Sequence, residues 1–262
     1  KLILLVCFIS FLIAFFAIKI IQINGIESLK LRSSMTILDR HNRPLQTTST
    51  EGVIQAWIPL KDVPKEFQNI LIFSEDKGFY YHFGFDPKAI LRSFYLNIKN
   101  GRVVSGASTI TQQLVRVGSN DPKRTVYRKI KETLLAIGYE IRYSKTQILE
   151  AYINSVYLGH SRVGFSSASH FYFDTPLHAS SLFESVRLIR LLRSPHYLDP
   201  FKYPERLKQI STTLLERAKS KGVISLELLN HAKRTHVSYF KKQANREAEH
   251  FTQFLLNDIP NS

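Results

Sequence analysis

The chain has 262 residues, 44% hydrophobic and 22% charged, which allows one sizeable core or two small lobes and excludes a disordered polymer. Lysine and arginine outnumber aspartate and glutamate 36 to 21, and the net charge of +15 favours an anionic partner: nucleic acid, an acidic lipid surface or a phosphate-bearing substrate. Cys7 is the only cysteine, so an internal disulfide and a cysteine-based zinc cluster are both excluded.

The first element is apolar. Leu2 to Ile18 carries no charge, Lys19 interrupts the run, and Ile20, Ile21 and Ile23 continue it. At 1.5 Å per residue such a helix can cross a bilayer of about 30 Å, with the lysine snorkelling to the interface. No small-x-small cleavage site follows, so residues 1–23 read as an uncleaved transmembrane anchor. An anchor ahead of a large basic domain argues against nucleic acid as the partner, and no zinc-finger or aromatic RNA-binding signature supports it.

Residues 24–62 read as an irregular or extended juxtamembrane connector with a small β element. Met35 to Leu38 is β-like, residues 39–44 form a turn cluster, and Val53 to Pro59 is strand-like. Residues 63–240 are dominated by helices. Phe67, Ile70, Leu71 and Ser74 share a helical face leading into Glu75. Asp86-Pro87 supplies an N-cap and a first-turn proline for a helix with Ile90, Leu91, Phe94, Tyr95 and Ile98 at helical spacing, closed by Gly101. Thr109 with Gln112 makes a capping box opening a helix through Leu114. A helix from about 125 to 142 is expected to point Ile130, Leu134, Ile137 and Ile141 inward. Ser144 with Gln147 opens the next helix, which Gly159 ends; Ser181 with Glu184 opens another through Leu192. Residues 205–220 and 225–235 complete the helical set, and 241–262 form a linker-like tail. The fold class is mainly α.

Four blocks within this domain carry chemistry. In Glu75-Asp-Lys-Gly-Phe-Tyr-Tyr-His82, Glu75 follows an apolar helix end beside Phe79 and Tyr80. Partial desolvation there suits a carboxylate to general-base work. Asp76 diverges from Glu75 by about 100° on a helix, so the two are not a dyad and Asp76 fixes local geometry. His82 is either a hydrogen-bonded structural histidine or a substrate contact, and no second histidine stands at metal-ligand spacing. Gly106-Ala-Ser-Thr109 is a turn of small residues entering a helix, a natural anion site. Gln112 and Gln113 can hydrogen-bond a sugar, and Arg116 can hold a phosphate by a fork of donors. Arg128 and Glu132 share one helix face, in the less favoured order for an isolated pair; Lys129 is placed on another face. The last block holds Lys145, Glu150, Tyr152 and Asn154 on one half-buried helix.

Together, in this order, the blocks resemble the peptidoglycan glycosyltransferase family: the transglycosylase domain of class A penicillin-binding proteins and their monofunctional relatives. The resemblance runs from about Val63 to Asp174 and continues more weakly to about Pro204. It implies a lysozyme-like helical fold with a small membrane-associated lobe, and polymerisation of lipid II on the outer face of the bacterial cytoplasmic membrane. It implies Glu75 as catalytic base and Glu132 as second essential carboxylate. It places Arg116 and Arg128 at the donor's diphosphate, and Asp76, Phe79, His82, Gly106, Ser108, Thr109, Gln112, Gln113 and Lys129 in the substrate-binding set. Asp86, Lys145, Glu150, Tyr152 and Asn154 support the site. No cofactor is required, although a divalent cation could assist. The implied partners are lipid II, the growing glycan strand, membrane lipids and other cell-wall synthesis proteins, with no nucleic acid.

The chain departs from the family at Arg116-Val117, where lysine then asparagine is usual, and at Arg187, Arg190 and Arg193, on a helix usually rich in alanine and leucine. No transpeptidase domain follows the linker-like tail, so the chain reads as monofunctional or as a truncated form. Two other readings share these residues: a lysozyme-like glycan hydrolase, which would not need clustered cations beside its carboxylates, and a non-catalytic lipid II-binding scaffold.

Overall fold

The computed structural model describes residues 25–30, 34, 36–38, 40, 44–47, 52–102, 106–118 and 125–240. The expected anchor at 1–23, most of the turn cluster at 39–44 and the tail at 241–262 lie outside the described residues. Among the described residues no helix is long and apolar enough to cross a membrane. The structure is mainly helical, with little sheet, and its described residues divide into two compact units, the division falling between Leu29 and Lys30, between Ser74 and Glu75 and between Tyr152 and Ile153.

The first unit comprises residues 25–29 and Glu75–Tyr152. A short helix, α1 (Ile26–Lys30), stands where the sequence suggested irregular chain. It forms because Tyr143 serves its open end: the Tyr143 hydroxyl accepts from the Ile26 amide at 3.2 Å and donates to Glu27 at 2.9 Å. The next helix, α2 (Lys65–Glu75), belongs to the second unit except for its last residue, Glu75. Helix α3 (Pro87–Lys99) starts as expected, with Asp86 accepting from the Ala89 amide and Pro87 in the first turn. It buries only Ala89 and Ser93, and its apolar stripe faces outward, with Leu91, Phe94, Tyr95 and Ile98 each more than 60% exposed.

Helix α4 (Ile110–Val117) has the reciprocal capping box of Thr109 and Gln112. It packs against α5 (Val126–Arg142), which is capped by Thr125. The inward face of α5 differs from expectation. Glu132, Ala136, Gly138 and Tyr139 are buried, whereas Ile130 and Ile141 are exposed. The helix is rotated so that a carboxylate faces α4, a choice hydrophobic periodicity alone cannot predict. Helix α6 (Lys145–Ser155) opens on the Ser144–Gln147 cap, with Ile148, Leu149 and Tyr152 fully buried.

The second unit comprises residues 30–74 and the chain from Ile153. Strands β1 (Thr36–Leu38) and β2 (Pro44–Thr47) pair antiparallel, with an irregularity at Ile37/Leu38. Strand β3 (Ile54–Gln55) pairs parallel with β4 (Arg162–Val163). Asn154 secures the chain beside β3: its side chain accepts from the Ile58 amide and donates to the Ile58 carbonyl, both at 2.8 Å. Helix α7 (Phe165–Phe173), which periodicity did not reveal, sets Phe165 edge-on to Phe67 at 4.8 Å. Helices α8 (Leu182–Leu191), α9 (Pro204–Ser220) and α10 (Leu226–Arg234) complete the unit. Arg187 of α8 is buried beneath the rings of Phe183 and Tyr239, at 4.6 and 5.3 Å, and donates to the Tyr239 hydroxyl. The arginine-rich helix is therefore packed partly through a guanidinium held between aromatic faces.

Candidate active site

The first unit holds an open pocket of ≈ 480 Å³ lined by Ser108, Arg116, Thr125, Val126, Arg128 and Lys129. Two elements build it: the segment entering and traversing α4, and the first turn of α5. Beneath its cations lies Glu132, whose side chain is 3% exposed. Arg116 grips this carboxylate with two hydrogen bonds, Nε to Oε1 at 2.9 Å and Nη2 to Oε2 at 3.0 Å. Arg128 Nε lies 3.3 Å from Oε1, and Lys129 Nζ lies 3.7 Å from Oε2. Three cations thus converge on one buried anion, leaving two positive charges in excess.

The protonation equilibria follow. Burial pushes the Glu132 carboxyl up, but the Arg116 hydrogen bonds and the charges of Arg116, Lys129 and Arg128 outweigh it and hold it below the usual range. Burial lowers Lys129, against the pull of Glu132. The Lys129 ammonium donates to Ser108 Oγ at 2.9 Å and to Gln112 Oε1 at 2.7 Å. The sequence reading that put Lys129 on another face is corrected: three residues before Glu132, its long side chain reaches the same face of α5.

The other sequence candidates divide by role. Gly106 is exposed and Ser108 half-buried at the pocket wall. Thr109 and Gln112 are almost fully buried, and hydrogen bonds tie them to Gly84 and Thr133. They support the wall from behind. Gln113 accepts from the Tyr152 hydroxyl at 2.9 Å. Asp76 accepts from the Ile110 amide and from His82 Nε2, so both side chains are buried within the scaffold. Phe79 is fully buried under the Lys145 ammonium, 4.6 Å from its ring. Lys145 also donates to the His82 carbonyl and to Glu140, which accepts from Thr111. Glu75 and Glu150 are half-buried, Asp86 caps α3, and Asn154 serves the second unit.

Thr125 and Val126 line the pocket without having been singled out as site residues. Their signal was available, since a threonine cap places the open end of a helix at that point. Among the described residues no group of three or more His, Cys, Asp or Glu side chains is arranged to hold a metal ion.

A sequence profile described as transglycosylase matches residues 41–219, well over half of the chain. The chain belongs to the peptidoglycan transglycosylase family. Relatives within reach of this transglycosylase sequence include penicillin-binding protein 1A of Aquifex aeolicus, 34% identical over 205 residues, covering 78% of this chain and 28% of that one. Penicillin-binding protein 1F of Bacillus subtilis is 33% identical over 219 residues, covering 83% and 30%. Penicillin-binding protein 1B of Vibrio cholerae is 35% identical over 192 residues, covering 71% and 25%. The transglycosylase chain therefore spans under a third of the length of these curated relatives. A crystal structure of penicillin-binding protein 1A from Haemophilus influenzae aligns with a TM-score of 0.47 at 15% identity, over 87% of this chain and 24% of that one.

Proposed function

We propose that this chain is a membrane-anchored peptidoglycan glycosyltransferase. It polymerises lipid II into glycan strands on the outer face of the cytoplasmic membrane, inverts the anomeric carbon and releases undecaprenyl diphosphate. The observation that carries the reading is the pocket formed by Arg116, Arg128, Lys129 and Ser108, with Glu132 organising its cations from below. Two surplus positive charges suit a diphosphate diester, which carries two negative ones. A glycan hydrolase acting on finished strands has no diphosphate to hold, so the pocket favours the transferase.

In the proposed reaction the acceptor's 4-hydroxyl attacks the anomeric carbon of the donor. Glu75, at the end of α2, takes the hydroxyl proton. The bond to the diphosphate breaks, and Arg116, Arg128 and Lys129 stabilise the charge that collects on the departing oxygens. Ser108, which accepts from Lys129, can donate its own hydroxyl hydrogen to the same anion. Glu132 is ionised and gripped on both oxygens, which suits it to hold the cations in place rather than to exchange protons. Membrane attachment rests on the apolar run from Leu2 to Ile18 and on the outward stripe of α3. It keeps the site beside its lipid-linked substrates.

Incubation with labelled lipid II in detergent, followed by gel separation, tests the reading. The wild-type chain should give a ladder of glycan products. Glu75→Gln should lose at least about a hundredfold in rate while still binding lipid II. Near-normal polymerisation by that variant would refute the assignment of the base.

A further inference from the structure

Two tyrosines in the connection between α8 and α9 stand in solvent, although the chain around them is tightly pinned. Tyr197 is 59% exposed and Tyr203 41%. Their rings lie 6.5 Å apart and are tilted by 34°. The Arg206 guanidinium, from the first turn of α9, rests on both, 4.1 Å from the Tyr197 ring centre and 4.6 Å from that of Tyr203. It donates to the Tyr197 carbonyl at 3.3 Å, and no carboxylate among the described residues pairs with it. Its neighbour Glu205 instead faces Lys208, at 3.9 Å.

The turn is held from beneath. Asp199 is buried, and its carbonyl accepts from the Lys202 and Tyr203 amides. Its carboxylate accepts from the Phe201 amide at 3.0 Å and lies 3.1 Å from His160 Nε2. The Leu198 amide, beside Tyr197, donates to the Ser194 carbonyl. A turn bound in this way gains little from two rings left in water. Exposed aromatic side chains on a rigid connection are suited to recognition, and tyrosine and arginine are enriched where binding energy concentrates. The connection also begins beside α2: Arg193 donates to the Ser74 carbonyl at 3.4 Å, and Ser74 directly precedes Glu75.

We propose that Tyr197, Tyr203 and Arg206 form a second binding surface, in the unit that does not hold the pocket, and that its partner is the glycan strand. The choice of partner rests on the glycosyltransferase reading, since the strand is what that reaction makes. Sugar rings present C–H faces that stack on tyrosine, and their hydroxyls meet the phenols. The peptides borne by the strand carry carboxylates, which complement a guanidinium held in place without an acid of its own. From 191 to 210 the two tyrosines are the only large apolar side chains exposed, so the surface has nothing aliphatic to place in a bilayer and fits a hydrated polymer better.

Fluorescence anisotropy with labelled, uncross-linked glycan strands bearing their peptides reads this surface without turnover. The full chain in detergent should bind them. Replacing Tyr197 and Tyr203 together by alanine should weaken binding at least about fivefold, and replacing both by phenylalanine should change it less than about twofold. Arg206→Met keeps the stem and removes the charge, and should also lose about fivefold. Stripping the peptides with an amidase supplies the discriminating arm. Stripped strands should bind wild type and Arg206→Met equally, yet still bind the alanine pair more weakly. The proposal is overturned if wild type does not bind strands, or if the alanine pair binds them as wild type does. It is equally overturned if Arg206→Met loses as much against stripped strands as against intact ones, or if the alanine pair loses binding to phosphatidylglycerol vesicles and not to strands. Should the alanine pair fail to fold, Arg206→Met against the two kinds of strand decides alone. Lipid II polymerisation is assayed apart, so a chain that binds strands and makes none would sink the functional reading without being mistaken for a failure of this surface.

Discussion

A carboxylate buried like that of Glu132 needs cationic partners: Arg116 supplies two hydrogen bonds, and Arg128 and Lys129 add their charges at 3.3 and 3.7 Å. Glu132→Gln keeps the shape but removes the charge that separates three like cations. It should cost about 1–3 kcal/mol, measured by urea unfolding at neutral pH. The pH dependence has a fixed sign. Because the folded carboxyl is held below its ordinary value, its contribution is fully present above about pH 4.3 and is lost as pH falls through the lower folded value. Wild type should therefore lose stability more steeply than Glu132→Gln on acidification below that point. Parallel acid profiles would contradict the arrangement. Much at this scale was legible where the signal is local. The Thr109–Gln112 box and the Asp86 cap are contacts across three residues, and their residue types announce them. The engagement of Asp76 with Ile110 spans 34 residues and needed the fold. Lys129 was misplaced because helical phase predicts where a Cα lies, not how far a four-carbon stem can swing.

At Gly84 the loop before α3 lies main chain to main chain against α5. Gly84 has a φ of +86°, and a Cβ there would stand 2.8 Å from the Ala136 carbonyl carbon and the Ile137 amide nitrogen. Its carbonyl also accepts from Thr109 Oγ1 at 2.7 Å. Gly84→Ala should destabilise by about 2–4 kcal/mol, seen as a lowered thermal midpoint, because both the left-handed backbone and the backbone of α5 resist the methyl group. An unchanged midpoint would mean that α5 yields readily. Element boundaries marked by caps were readable from sequence, as for α3, α4, α6 and α8. Helix α7 was not, since Phe-Ser-Ser-Ala-Ser-His-Phe-Tyr-Phe is buried on nearly every side and has no polar face to set a period. The phase of α5 failed for the opposite reason: its innermost face contains a charged residue and its exposed faces contain isoleucines.

At the scale of the whole molecule, the net charge of +15 and the outward apolar stripe of α3 predict two separable contributions to membrane binding. Co-sedimentation with vesicles containing acidic lipid should weaken as salt rises from 0.1 to 1 M, where screening shortens from about 10 to about 3 Å. Replacing Leu91 and Phe94 together by serine should weaken binding by about tenfold or more at every salt concentration, since each side chain contributes roughly 1.5–3 kcal/mol when buried. Loss only at low salt would assign the attachment to charge alone. Composition made the cationic excess legible, whereas the orientation of α3 required three dimensions.

The carboxylate of Asp76 gathers three stretches of chain: the residue it follows, the ring six positions ahead and the amide that begins α4. A knot of this kind has no slack. Drift in sequence at any one of the three must be answered at the other two, so the loop and the start of α4 can be retuned only as a set.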